Sequence, residues 1–98
     1  MNLDKLVLEE IINISKKYSD IKKVVLFGSR ARGDNEKKSD IDLAIYSNSS
    51  ILDFIEDIEN NTTTLLEFDF ANMNTIEDEL FIEQVNKEGI VLYEKCWI

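Results

Sequence analysis

The segment Asp40-Ile41-Asp42-Leu43-Ala44-Ile45-Tyr46 constrains the chain more than any other. Strand side chains alternate between faces. Ile41, Leu43 and Ile45 therefore form an apolar row for a core, while Asp40 and Asp42 stand together on the opposite face at one strand end. Two residues i and i+2 lie about 6.5–7 Å apart at Cα, so two such carboxylates can share one divalent ion or bridge two. Side-by-side carboxylates repel each other and resist burial unless a cation or hydrogen-bond donors compensate. Taken alone, the triplet reads more simply as a solvated strand end than as a metal site.

The rest of the chain supplies the elements to surround this strand. Leu3, Leu6, Val7, Ile11, Ile14 and Tyr18 follow helical spacing, with Asn2 as the expected N-cap. An apolar strand over 23–27 stops at Gly28-Ser29, where a short helix begins, and a polar loop covers 33–38. Ser49 and Ser50 offer caps to a helix carrying Ile51, Phe54, Ile55 and Ile58, which 60–64 interrupts. Residues 65–70 alternate as a strand. A last helix, capped by Asn74 or Thr75, runs to about 86 and stops at Gly89, before a final strand over 90–93. The order is α-β-(short helix)-β-α-β-α-β. It predicts an α/β (α+β) fold, a mixed sheet of about four strands covered by helices. With 98 residues, the expected organisation is a single domain over 1–98.

Composition narrows the chemistry. The chain has no histidine and one cysteine, Cys96. Imidazole acid–base catalysis, Ser-His-Asp and Cys-His nucleophiles, disulfide frameworks and multi-Cys zinc sites are excluded. Any metal must be held by carboxylates, which suit hard ions. No apolar run is long enough to cross a bilayer and none resembles a signal peptide, so a cytoplasmic location without membrane attachment is expected. The net charge of −9 argues against direct nucleic-acid binding. That charge is uneven. Lys16, Lys17, Lys22, Lys23, Arg30, Arg32, Lys37 and Lys38 lie in the first half, and from Asp53 onward only Lys87 and Lys95 are basic. This is either an ordinary solvated surface, or a basic rim for an anionic ligand backed by an acidic side for a basic partner. Cys96 and Trp97 are read as packing or interface residues.

Three further features bear on a site. Gly28-Ser29 falls at a strand-to-helix turn, where backbone N–H groups face an anion, glycine permits close approach and the hydroxyl adds a donor. Arg30 and Arg32 follow, and guanidinium forks match phosphate oxygens, although exposed helix-end charge is the plain alternative. In 66–70 the apolar Leu66, Phe68 and Phe70 share one face, with Glu67 and Asp69 on the other. If this strand pairs beside 40–46, Asp69 joins the first two acids. Glu67 is its competitor.

Gly28-Ser29, ten residues (30–39), then Asp40-x-Asp42, with a strand acid 27 positions further on (42 to 69), is more specific than any of its parts. The run Gly28-Ser29-Arg30-Ala31-Arg32-Gly33 with Ser39-Asp40-Ile41-Asp42-Leu43 closely resembles the signature of the minimal nucleotidyltransferases of the DNA polymerase β-like superfamily. The closing Asn86-Lys87-Glu88-Gly89-Ile90-Val91-Leu92-Tyr93 run resembles them too. The resemblance implies an Mg²⁺-dependent transfer of a nucleoside monophosphate, AMP from ATP or another NTP, to a hydroxyl. It implies two Mg²⁺ ions, with Mn²⁺ as substitute, held by Asp40, Asp42 and Asp69. It further implies a triphosphate gripped by Gly28 and Ser29, with Arg30 steadying the phosphates. Small members of this kind act as antitoxins that adenylylate a tyrosine of a HEPN-domain toxin, which makes such a toxin the expected partner. The rival readings are a non-catalytic partner-binding antitoxin and a transferase acting on a small molecule.

Overall fold

The structure is a computed structural model that describes residues 1–95; Cys96 and Trp97 lie outside the described residues. Eight elements follow in the expected order: α1 (Lys5–Ser15), β1 (Ile21–Phe27), α2 (Gly28–Arg32), β2 (Ile41–Ser47), α3 (Leu52–Asn61), β3 (Phe68–Asn72), α4 (Glu79–Glu88) and β4 (Ile90–Glu94). The strands form one mixed sheet in the order β3-β2-β1-β4. β1 pairs antiparallel with β2 and β4, and β2 pairs parallel with β3.

Strand alternation divides the core. On one face Val24 and Leu26 of β1 and Ile41, Leu43 and Ile45 of β2 pack under Val7, Ile11 and Ile14 of α1 and Phe54 and Ile58 of α3. On the other face Val25 and Ala44 meet Val85 of α4, with Phe27, Tyr46, Met73 and Phe81 around them. Leu26, Ile41, Leu43, Ile45, Phe54 and Ile58 are sealed from solvent, so the apolar row of β2 is the middle of the larger core. Burying an aliphatic or aromatic side chain of this size contributes about 1.5–3 kcal/mol. α1 and α3 are tied at their ends by Tyr18, whose ring sits edge-on to Phe54 at 5.7 Å and whose hydroxyl donates to Asp57 at 2.8 Å. That hydrogen bond, with one from Asn61, holds the Asp57 carboxyl below its ordinary range. None of the helices among the described residues is long and apolar enough to cross a membrane.

Besides one- and two-residue shifts of β1 and β2, three boundaries differ from the sequence expectation. Asp4, not Asn2, caps α1: its carboxylate accepts from Leu6 N at 2.8 Å, while Asn2 is engaged by Arg30 and Asn35. The third strand begins at Phe68 and runs to Asn72, because Ile41 N already donates to Glu67 O and parallel pairing then proceeds forward; Leu65 is fully exposed. The last helix begins at Glu79, capped by Asp78. Residues 72–75 turn instead, with the Asn72 side chain accepting from Asn74 N and its carbonyl from Thr75 N.

Candidate active site

The site is assembled where β1 ends. Phe27, the last residue of β1, stands opposite Asp42 in the antiparallel ladder, and Asp42 stands beside Asp69 in the parallel one. Paired residues of a sheet project to the same face, so Asp42 and Asp69 are same-face neighbours on adjacent strands. This face is the one α4 covers, and the Phe27 ring meets Phe81 of α4 edge-on at 5.4 Å. Asp40 precedes the first residue of β2. Asp40 and Asp69 are exposed and Asp42 is half-buried, so the acids form an open edge at the strand end.

The chain leaves β1 through Gly28, whose φ of +73° lies in the left-handed region. A β-carbon added there would come 2.3 Å from Oδ2 of Asp42. Gly28 is thus required twice over: for its backbone conformation, and because the Asp42 carboxylate occupies the space a side chain would fill. Ser29 follows in the first turn of α2. The turn and the acid pair are one structure, joined across the ladder.

Electrostatics agree. The Asp42 carboxyl is raised above the ordinary aspartate range, first by burial and then by the negative charges of Asp69 and Asp40; Arg32 and Arg30 oppose the shift only partly. Among the described residues no lysine or arginine is within ion-pair distance of Asp40, Asp42 or Asp69. The donor set is all carboxylate, and the chain has no imidazole to offer, which fits a hard divalent cation. A cation between the acids would relieve the repulsion that raises Asp42. Among the described residues no three acidic or cysteine side chains are already gathered into a metal-binding cluster. Asp42 and Asp69 are brought together as neighbours, with Asp40 bordering them.

The arginines are placed differently from the sequence expectation. Arg30 is only 6% exposed. Its Nε donates to Ser39 O at 3.0 Å, its Nη1 to Asn2 O at 3.1 Å and its Nη2 to Lys37 O at 3.0 Å. The guanidinium is committed to backbone carbonyls rather than turned toward a phosphate site. Arg32 pairs with Asp34 at 3.1 Å and Glu88 at 3.0 Å, linking α2 to α4. Sequence reasoning also missed that Gly28 packs on Asp42. The signal was a glycine placed immediately after a strand whose ladder partner could not be known from the sequence. Glu67 lies outside β3, with Asp69 rather than Glu67 registered on Asp42.

A mixed four-stranded sheet with carboxylates on two adjacent strands and a Gly-Ser turn between strand and helix defines a nucleotidyltransferase of the polymerase β type. The family model described as "Polymerase beta, Nucleotidyltransferase" matches residues 9–96, and the chain belongs to this family. It is 37% identical over 103 aligned residues to a Methanocaldococcus jannaschii protein provisionally named a protein adenylyltransferase, covering 95% of this chain and all of that one. The fold is similar to a chain in a complex of a tri-AMPylated Shewanella oneidensis HEPN toxin with its MNT antitoxin (TM-score 0.69, 16% identity, 95% of this chain and 74% of that one). It is also similar to a toxin–antitoxin structure containing AMP-PNP (TM-score 0.68, 17% identity, 90% of this chain and 73% of that one). The chain is a nucleotidyltransferase with the fold of these proteins.

Proposed function

We propose that this nucleotidyltransferase transfers AMP from ATP to a tyrosine hydroxyl of a HEPN-domain toxin and so acts as its antitoxin. The observation that carries the reading is the seating of Asp42 against the Gly28 turn and beside Asp69. The M. jannaschii relative's name, the AMPylated HEPN toxin and the AMP-PNP of the similar structures support the nucleotide and the acceptor class. An open, acidic edge suits an acceptor that arrives as a protein side chain and completes the site.

In this reading Gly28 and Ser29 hold the β- and γ-phosphates with backbone N–H groups and a hydroxyl. Asp40, Asp42 and Asp69 would hold Mg²⁺, two ions in the full site, with Mn²⁺ able to replace them. When bound, such ions neutralise charge on the phosphates and on the attacking and leaving oxygens. Asp69, exposed on the edge strand β3, would help to activate the incoming hydroxyl. The hydroxyl oxygen bonds to the α-phosphorus as the bond to the β-phosphate oxygen breaks. Pyrophosphate leaves and the hydroxyl proton passes to the carboxylate or to water. Positioning and electrostatics supply the acceleration, so histidine is not needed.

ATP labelled in turn at the α- and γ-phosphate tests the reading. When the ATP is incubated with this chain, Mg²⁺ and the protein encoded beside it, α-label is expected on a tyrosine of that neighbouring protein and γ-label on none. Transfer of γ-label, or no α-label on that protein, would overturn it.

A further inference from the structure

Arg30 follows the Gly28-Ser29 turn, yet its side chain points away from that turn and into the protein. Its three hydrogen bonds reach the carbonyls of Ser39, Lys37 and Asn2. Two of these belong to the 33–40 connection, which has no regular secondary structure. Ser39 is the residue immediately before Asp40. The other ties in this connection are at its start or within it: Gly33 N and Asp34 N donate to Ser29 O, Arg32 pairs with Asp34, Ser39 N donates to Glu36 O, Ser39 Oγ accepts from Glu36 N, and Asn35 bonds Glu36 and Asn2. Asn2 is drawn in from the other side, its carbonyl accepting from Arg30 and its N–H donating to the Arg30 carbonyl at 2.8 Å. A single buried guanidinium thus joins α2, the N-terminal segment and the backbone that delivers Asp40 to the start of β2. The three carbonyls are reached from three separate nitrogens of one rigid plane; a lysine ammonium has three donors on a single nitrogen and does not span them. The guanidinium itself is buried, and leaving a buried charged donor without its acceptors is costly, so the loop would move.

We infer that Arg30 is a positioning residue for Asp40: it fixes the carbonyl of Ser39, and with it the aspartate that follows, and does not touch the nucleotide. The inference rests on the proposed use of Asp40 as a metal-holding acid. It assigns Arg30 a part different from phosphate binding, which its place in the Gly-Ser-Arg run suggests.

Two measurements decide this, and the first needs neither a variant nor turnover. In ¹⁵N-resolved NMR spectra of the unaltered protein, the Arg30 Nε–H is expected to be slowly exchanging in the free state, and to keep its shift when Mg²⁺ and AMP-PNP are added. A fast-exchanging signal, or one that moves on nucleotide binding as a phosphate contact would, overturns the proposal. The second is a double-mutant cycle on AMP transfer. Arg30→Lys retains the charge and is expected to lower kcat about 100-fold, the scale of a misplacement of about 1 Å, with KM for ATP little changed. In an Asp40→Asn background the same change is expected to add less than about twofold, because its effect runs through Asp40. A full further loss in that background, or a rise in KM with kcat unchanged, contradicts the proposal. If the unaltered protein transfers no AMP at all, it is the proposed function that fails, and the NMR signal still decides the role of Arg30.

Discussion

Asp42→Asn is expected to lower nucleotidyl transfer about 1000-fold while the protein melts at or slightly above the temperature of the unaltered chain. These two effects have one cause. Asp42 is half-buried among like charges, which raise its carboxyl above the ordinary range. A carboxyl raised in the folded state is a liability at neutral pH: its ionised form is better solvated in the unfolded chain. The cost is present above the raised value, is relieved as pH falls through it, and is gone below the ordinary aspartate value, where both states carry the proton. Asparagine keeps the shape and has no such titration. The stability advantage of Asp42→Asn should therefore be greatest at neutral pH and shrink toward acid, as thermal melts across pH will show. Loss of activity together with loss of stability would mean that Asp42 serves the fold, and that the site lies elsewhere.

The second large effect is at Gly28. Gly28→Ala places a β-carbon where Oδ2 of Asp42 stands and forces a non-glycine residue to a φ of +73°. The backbone strain costs roughly 1–2 kcal/mol, a fall in Tm of about 4–16 °C for a domain of this size. The contact is with the end of a side chain, so Asp42 swings aside instead of the sheet breaking, and transfer is expected to fall about 100-fold. Gly33 provides the control. It too has a left-handed backbone, with a φ of +88°, but an added β-carbon meets nothing within 4 Å. Gly33→Ala should lose similar stability and keep transfer within about twofold. Equal activity in the two alanine variants would show that the Gly28–Asp42 contact has no catalytic consequence.

Much of this arrangement was legible in the sequence because it is written in short-range periodicity. The apolar rows of 24–27 and 41–45 and the helical spacing of 3–18 specify which faces are buried, and the eight elements follow in the expected order. Boundaries set by distant partners were not legible. The start of β3 depends on where Ile41 N finds Glu67 O, a pairing across a whole helix. The start of α4 depends on a turn at 72–75 that keeps Asn74, through its side-chain donation to Ser47 O, at the end of the sheet. The same distinction holds at the site. Asp40 and Asp42 are two positions apart in the sequence, so alternation alone predicts that they stand together at one strand end, but the placing of Asp69 beside Asp42 is a fact of register between strands joined by α3. Arg30 looked like a phosphate ligand because its neighbours in sequence belong to the turn. Its neighbours in space are the carbonyls of Asn2, Lys37 and Ser39, which no local pattern specifies.

If the Gly28-Ser29 turn and the three aspartates are one metal-and-nucleotide site, as proposed, nucleotide binding must depend on the metal. Calorimetric titration with AMP-PNP, with and without Mg²⁺, tests it most directly. The unaltered protein should bind the nucleotide more tightly with Mg²⁺ than without it. At 100 times its dissociation constant the Mg²⁺-nucleotide should add about 2.7 kcal/mol of stability, and Asp42→Asn should abolish the Mg²⁺ dependence. Equal binding with and without Mg²⁺, or a Mg²⁺ effect retained in Asp42→Asn, would contradict the claim.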